Sequence, residues 1–313
     1  MTSGTKFASH LPLPDEDLTE LAAFCDPEAD RYTVLTESLK RRNIGYETIP
    51  LGEAKHIALP MPNPRRMDDE YYRVTLTAHY DRVSGTPGAN DNAAAVFQLM
   101  THWQEISRLG WRHRTQILFT DREELTGEMS ATDQGSWHLA KHLSRLGADN
   151  ILFFVLDMCG IGDTPVWGRS VRKAGLIPAG DSISRAFEVM ESFLKRYTRG
   201  CDYGVNPLFS DDLGLLLGGY PAFQLSLLPR SEAENLAALY RIEPFETDPE
   251  VPARARENTR NNLPRSWKAN HTSRDTPESL EAGSFHLMSR LLRDLARYRF
   301  PLPSGRPLTI TGA

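Results

Sequence analysis

A set of histidine and acidic residues stands at predicted strand ends and in the loops that follow them. The set consists of His79, Asp91, Glu123, Glu124, Asp157 and His271. Imidazole nitrogen and carboxylate oxygen are ligands of zinc, and a catalytic zinc site keeps one position open for water. Because open α/β sheets bind ligands at the carboxyl ends of their strands, the pattern predicts that these side chains converge. Five metal ligands and one base would serve a hydrolase with two zinc ions.

His79 and Asp91 are the first candidate ligands along the chain. His79 ends the β-branched run 73–78, and Asp81 could accept the second imidazole N–H and so fix the tautomer. Asp91 begins a predicted helix, where it could bridge two metals or only cap the helix. For either residue alone, a packing or capping role stays open. Their spacing, with the glycine-containing loop 85–89 between them, favours a metal site.

The adjacent pair Glu123-Glu124 follows the predicted strand 115–119. Neighbouring side chains at a strand end point in different directions. One carboxylate can therefore bind metal while the other faces the attacking water and takes its proton. For the pair alone, a solvated acidic loop stays open. Asp157 follows the almost wholly apolar run 151–156, and a carboxylate there needs a partner.

The composition argues against several classes of function. The chain has 313 residues, of which 40% are hydrophobic and 25% charged, as in a globular protein with a large core. A net charge of -5 argues against nucleic acid as the main partner. No apolar run is long enough to span a membrane, and the first residues lack the apolar core of a signal peptide. We therefore expect a soluble, cytoplasmic protein, with a secreted or periplasmic protein as the alternative. The sequence leaves the oligomeric state open.

Apolar runs alternate with helical patterns along most of the chain. Helical spacing predicts helices at 15–24, 28–42, 93–104, 136–146, 182–196 and 278–297. Strands are predicted at 46–51, 56–59, 73–78, 115–119, 151–156 and 222–228. Strands that are apolar throughout indicate a sheet covered on both faces, in one α/β domain over 1–313. The proline-rich, charged segment 230–270 is predicted to be a long loop excursion.

Six sequence motifs occur in a fixed order. They are Ala78-His79-Tyr80-Asp81, Pro87-Gly88-Ala89-Asn90-Asp91, Glu123-Glu124, Leu156-Asp157-Met158, Ser210-Asp211 with Gly219-Tyr220-Pro221-Ala222, and His271-Thr272 with Asp275-Thr276-Pro277-Glu278. In this order they resemble the co-catalytic zinc exopeptidases that include bacterial leucyl aminopeptidases. The resemblance implies a mixed, mainly parallel central sheet flanked by helices on both faces. It also implies an enzyme that acts on a peptide with a free N-terminus.

The resemblance assigns a role to each site residue. It implies that the zinc ligands are His79, Asp91 as the bridging ligand, Glu124, Asp157 and His271. It makes Glu123 the general base and Asp81 the residue that orients His79. Two zinc ions are expected, and one is the alternative. Asp275 and Thr276 follow His271 in a loop and could orient its ring.

The segment after the acidic pair departs from the aminopeptidase pattern. Ten residues, Leu125 to Gln134, separate Glu124 from Gly135-Ser136, which is more than in the aminopeptidases. The segment 130–140 resembles animal-type glutaminyl cyclases, which cyclise N-terminal glutamine with one zinc. In the cyclase pattern, an acidic proton-relay network comprises Glu123, Asp157 and Asp211. This chain lacks the two tryptophans of that pattern: none lies between Glu124 and Asp133, and Asn270 precedes His271.

An aminopeptidase is the first interpretation and a glutaminyl cyclase the second. A third interpretation, a binding module without catalysis, conflicts with the presence of every ligand and the base. The basic residues of the excursion are interpreted as a solvated loop, and they are Arg254, Arg256, Arg260, Arg265 and Lys268. In a sharper alternative, one arginine binds a substrate carboxylate, which would imply a carboxypeptidase or a preference for dipeptides.

Overall fold

The computed structural model describes residues 10–60, 70–111, 113, 115–125, 130–169, 181–205, 210–242 and 263–302. The helices are α1 (Asp15–Phe24), α2 (Arg31–Arg41), α3 (Ala94–Leu109), α4 (Gly135–Arg145), α5 (Asp181–Lys195), α6 (Asp211–Leu217), α7 (Arg230–Ile242) and α8 (Ala282–Arg297). The strands are β1 (Glu47–Leu51), β2 (Ala54–Leu59), β3 (Arg73–His79), β4 (Thr115–Thr120), β5 (Ile151–Leu156), β6 (Thr164–Gly168), β7 (Gly204–Val205) and β8 (Ala222–Leu228).

The eight strands form one mixed sheet in the order β1-β2-β4-β3-β5-β8-β6-β7. The four neighbours β4, β3, β5 and β8 run parallel. Antiparallel pairings join β1 to β2, β2 to β4, and β6 to β8. The predicted mixed, mainly parallel sheet is therefore confirmed.

The central strand β5 shows why both faces of the sheet are covered. Every one of its residues is buried, and successive side chains on a strand point to opposite faces. Phe153 packs against Tyr220, whereas Phe154 packs against Phe193 and Phe300. A strand with apolar partners on both faces must be apolar throughout, as this run is.

Helices cover the sheet and join it into one core. α3 packs against β3, β4 and α8, and α4 packs against α6, which lies on β5 and β8. Among the described residues, the buried apolar side chains form one cluster that extends from Leu11 to Phe300. That the domain extends over the whole of 1–313 stays a prediction.

The structure corrects the predicted excursion at its start. Residues 230–242 form α7, in which Ala233, Leu236 and Ala237 are buried. The prediction of a loop is wrong here. These apolar residues have the i, i+3, i+4 spacing of one face of a helix, although many charged residues surround them in the sequence. Residues 243–262, with Arg254, Arg256 and Arg260, lie outside the described residues. Arg265 and Lys268 are exposed.

Besides α7, three further elements are not predicted by the sequence patterns: β6, β7 and α6. β7 has only two residues, and β6 contains a proline, which sequence patterns associate with loops. In the described part of the chain, no helix has the length and apolar composition needed to span a membrane.

Candidate metal centre

The candidate centre lies where three parallel strands end. β3 ends at His79, and Thr120 at the end of β4 lies opposite it in the parallel register. β5 pairs with the other side of β3, so Asp157 follows a strand end adjacent to His79. Glu123 follows β4 after a short turn. The predicted convergence at the carboxyl edge of the sheet is therefore present.

Left-handed backbone redirects the chain at several of these positions. Arg122 (φ 62°) precedes Glu123, Met158 (φ 56°) follows Asp157, and His271 itself has φ 58°. Non-glycine residues seldom adopt this conformation, and residues that do are concentrated at functional sites. At Arg122 and Met158 this conformation ends the extended backbone that leads out of β4 and β5.

Asp91 lies between two histidines. Its Oδ1 is 3.2 Å from His79 Nε2, and its Oδ2 is 3.1 Å from His271 Nε2. The backbone at Asp91 is not helical, and α3 begins only after Ala93, without a side-chain cap. The alternative that Asp91 merely caps the helix is therefore wrong. Each carboxylate oxygen faces a different imidazole, which is the arrangement of a bridging ligand.

The first ligand group consists of His79, Asp91 and Asp157. Asp157 Oδ1 lies 3.6 Å from His79 Nε2. Gln224 donates its amide N–H to the other oxygen, Asp157 Oδ2, over 3.1 Å. One oxygen of Asp157 is thus fixed by the sheet, and the other faces the group. Gln224 is one of two polar residues in the buried strand β8, the other being Ser226, and this is the signal in the sequence that points to it.

The second ligand group consists of Asp91, Glu124 and His271. His271 Nε2 lies 3.2 Å from Glu124 Oε2. Both groups share Asp91, and in each of them the ligand atoms lie within 4.8 Å of one another. The five sequence-predicted ligands are therefore brought together as two sets of three with one residue in common.

The donor set fits zinc. Zinc binds nitrogen and oxygen ligands at about 2 Å, which puts neighbouring ligand atoms of a tetrahedral site about 3.3 Å apart. The distances from Asp91 to His79 and His271, 3.2 and 3.1 Å, are close to this value. The buried polar atoms that form no hydrogen bond in the described part of the chain include His79 Nε2, Asp157 Oδ1 and Glu124 Oε1. Buried polar atoms need partners, and a cation would supply one to all three.

Asp81 supports the centre from the opposite side of the His79 ring. Its Oδ1 lies 3.5 Å from His79 Nδ1, so Nε2 is left to face Asp91 and Asp157. Its Oδ2 accepts a hydrogen bond from the backbone N–H of Glu124 over 3.0 Å. Asp81 therefore joins a residue of the first ligand group to a residue of the second.

Glu123 is buried beside the ligands, with 9% of its surface exposed. A carboxylate oxygen of Glu123 lies within 4.8 Å of ligand atoms of His79 and Glu124. Burial raises the pKa of Glu123 well above its usual range, and the charges of Glu124 and Asp157 raise it further, while His79 opposes them. Glu123 is thus the carboxylate of the adjacent pair that lies outside the two groups sharing Asp91.

The imidazoles lie in a strongly negative environment. Hydrogen bonding to Asp91 and Glu124 raises the pKa of His271 to about 10. Burial opposes protonation of His79, but Asp157, Asp81 and Asp91 together raise its pKa well above the usual value. Carboxylates that favour positive charge at this point would equally favour a divalent cation.

Asp211 lies at the start of α6 and is fully buried. Thr120, at the end of β4, donates its hydroxyl to Asp211 Oδ2. Burial raises the pKa of Asp211 to about 6, and its charge acts on Glu123. Asp212 is also buried, and burial raises its pKa to about 7. The motifs in the sequence do not single out Asp212, although it stands directly after Asp211.

Asp275 supports Asp91 and not His271. Its carboxylate accepts hydrogen bonds from the backbone N–H groups of Asn90 (2.8 Å) and Asp91 (3.1 Å). The sequence predicts that Asp275 orients the His271 ring. Both of its oxygens are instead turned toward the backbone of residues 90 and 91. This contact holds Asp91 in place.

The fold is similar to that of several solved structures. A glutaminyl cyclase from an Acidobacteriales bacterium has 17% identity and a TM-score of 0.58 over 90% of this chain and 91% of that chain. A Zn-dependent exopeptidase from Parabacteroides distasonis has 17% identity and a TM-score of 0.53 over 90% and 95%. A leucine aminopeptidase precursor from Bacteroides thetaiotaomicron has 16% identity and a TM-score of 0.54 over 89% and 93%. At these identities the likeness shows the fold alone.

The sequence itself places the chain in a family. It matches no curated protein. Residues 61–296, more than half of the chain, match Peptidase family M28. The chain therefore belongs to Peptidase family M28, a family of zinc exopeptidases.

Proposed function

We propose that this protein is a zinc-dependent aminopeptidase that removes N-terminal residues from peptides. The observation that carries the proposal is the sharing of Asp91 by two ligand groups, each with its own histidine and a second carboxylate. Two adjacent metals bridged by one carboxylate suit hydrolysis of an amide bond. The first group would hold one zinc through His79 and Asp157, and the second would hold another through Glu124 and His271.

Bound zinc would polarise the scissile carbonyl and lower the pKa of a water molecule. In this proposal Glu123 accepts the proton of the attacking water at its carboxylate and donates it to the leaving amine. The proximity of Glu123 to His79 and Glu124 supports this role. Asp81 keeps His79 in one tautomer by facing its Nδ1.

The substrate in this proposal is a peptide with a free N-terminus. Zinc binds neutral nitrogen, so the free α-amine of such a peptide would lie against one zinc, with the carboxylate of Glu123 nearby to accept its N–H groups. The charges of two zinc ions would balance those of the four carboxylates, so selection would come from the amine nitrogen and not from net charge. An acetylated N-terminus has an amide nitrogen, which is a poor metal ligand, and peptides that carry it should bind poorly.

A glutaminyl cyclase is the second candidate, and one observation favours it. Glu123, Asp157 and Asp211 lie close enough for the charges of the two aspartates to raise the pKa of Glu123. A cyclase would use such a cluster to move a proton from the substrate amine to the departing ammonia. Against this candidate, Trp267, which precedes His271 by four positions, is only 3% exposed and offers no open ring face for stacking on a substrate.

A mixed peptide pool separates the two candidates. Peptides that differ only in an N-terminal Leu or Gln, each also prepared with an acetylated N-terminus, would be incubated with the zinc-loaded protein. Mass spectrometry should show stepwise loss of N-terminal residues from the free peptides and no change in the acetylated ones. Loss of ammonia from the Gln peptides alone would replace the first candidate by the second.

A further inference from the structure

Arg31, at the start of α2, is a buried cation near the metal centre. It is only 4% exposed, and burial lowers its pKa to about 10, so it stays protonated at neutral pH. A buried charge is costly unless hydrogen bonds or an opposite charge compensate it. The groups that contact Arg31 compensate its charge, and they show which parts of the chain it holds together.

The guanidinium group donates all its N–H groups to backbone carbonyls. Nε donates to Phe24 O (3.2 Å), Nη1 to Tyr80 O (3.2 Å) and Asp81 O (3.0 Å), and Nη2 to Pro87 O (2.6 Å) and Gly88 O (2.8 Å). Arginine has five N–H donors in a fixed planar fork. Each donor has one acceptor, so the group is saturated by three separate stretches of backbone.

Two of these stretches carry residues of the metal centre. The carbonyls of Tyr80 and Asp81 belong to the segment just after His79, and the Asp81 side chain faces His79 and Glu124. The carbonyls of Pro87 and Gly88 end the loop that leads into Asp91. Arg31 therefore holds two segments in fixed positions relative to each other: the one that follows His79 and the one that precedes Asp91.

Gly88 shows how closely the guanidinium approaches this loop. Its φ is 55°, and a Cβ atom there would lie 2.7 Å from Arg31 Nη2 and 2.5 Å from the carbonyl oxygen of Asp91. Only glycine leaves room for both contacts. The loop before Asp91 is therefore shaped around Arg31.

We propose that Arg31 is a positioning residue of the metal centre, which aligns the Asp81 segment and the Asp91 loop so that their ligands converge. This inference rests on the proposed zinc centre. It concerns metal affinity and does not depend on which reaction the centre catalyses. Lysine cannot replace arginine in this role, because an ammonium group has three donors and no planar fork.

The test compares zinc affinity in Arg31→Lys, Arg31→Ala and the unmodified protein, by competition with a chromogenic chelator in the absence of substrate. Groups that orient metal ligands typically contribute 10- to 100-fold to metal affinity, so the dissociation constant should rise by about that factor. Millimolar guanidinium should partly restore zinc affinity in Arg31→Ala by occupying the space left behind. It should have no effect on the unmodified protein.

Arg42, the residue that directly follows α2, provides a matched control. It is also an arginine with a buried side chain. Its ion pairs are with the carboxylates of Asp17 and Glu20, which belong to α1 and not to the metal centre. Arg42→Ala should lower the melting temperature and leave the zinc dissociation constant within about threefold of the unmodified value. Equal weakening of zinc binding by both substitutions would mean that Arg31 only stabilises the fold, and would overturn the inference.

The lysine variant covers the case in which Arg31→Ala does not fold, which circular dichroism would detect. Arg31→Lys that folds and binds zinc as tightly as the unmodified protein also overturns the inference. Unmodified protein that binds zinc but leaves peptides intact would refute the proposed aminopeptidase, while the role of Arg31 would still be decided by the dissociation constants. Unmodified protein that binds no zinc would refute both proposals.

Discussion

Glu123→Gln is expected to lower kcat by about 100- to 10,000-fold, the usual contribution of a general base. Glutamine has nearly the same size as glutamate but cannot take a proton from water at neutral pH. Neither of the two ligand groups that share Asp91 contains Glu123. The variant should therefore keep its zinc and lose its turnover.

The measurement is kcat on a Leu-terminated peptide, together with zinc content by elemental analysis. Glu53→Gln is the control, because Glu53 is an exposed glutamate whose carboxylate pairs with Arg122 at the surface. The control should retain full activity. Substantial turnover by zinc-loaded Glu123→Gln would remove Glu123 from its proposed role.

Asp91→Asn is expected to empty both metal sites. Each oxygen of Asp91 faces a different histidine, so one substitution removes an anionic ligand from both groups. A metal contributes several kcal/mol of charge stabilisation in the transition state. Since each 1.36 kcal/mol is tenfold in rate, activity should fall by about 1000-fold or more.

Zinc stoichiometry distinguishes a shared ligand from an ordinary one. Of the two groups that share Asp91, one contains His79 and the other contains His271, so His79→Ala and His271→Ala should each lose about half of the bound zinc. Asp91→Asn should lose nearly all of it under the same conditions. Retention of one full equivalent by Asp91→Asn would show that Asp91 does not bridge.

The sequence was sufficient for the parts of the centre that lie at strand ends. β5 is buried at every residue, so its apolar run could belong only to a covered strand, and Asp157 had to follow it. The same reasoning places His79 after β3 and the acidic pair after β4. The apolar pattern of a strand and the change to polar residues at its end are local signals. Parallel pairing then brings the ends of these strands to one edge of the sheet.

Other parts of the centre depend on contacts that no local pattern reveals. Asp275 binds backbone groups 185 and 184 positions earlier in the chain. Arg31 binds carbonyls up to 57 positions away, and its place at the start of α2 resembles that of any surface arginine. The acceptors are backbone atoms, so the partner residues carry no signature of their own. Only the folded chain brings these groups together.

α7 was missed for a different reason. Its charged residues and the prolines that follow made the segment look like a loop, whereas burial of Ala233, Leu236 and Ala237 against the core stabilises a helix. Tertiary packing outweighed the local composition. The same effect explains β6, which contains Pro165 and still pairs with β8.

The central claim is tested most directly by titrating the metal-free protein with zinc. Both the bound zinc and the N-terminal leucine released from a peptide would be measured. The account predicts that leucine release rises with zinc and that the protein binds two equivalents at saturation. Saturation at one equivalent, with ammonia released from Gln peptides and no leucine released, would contradict it.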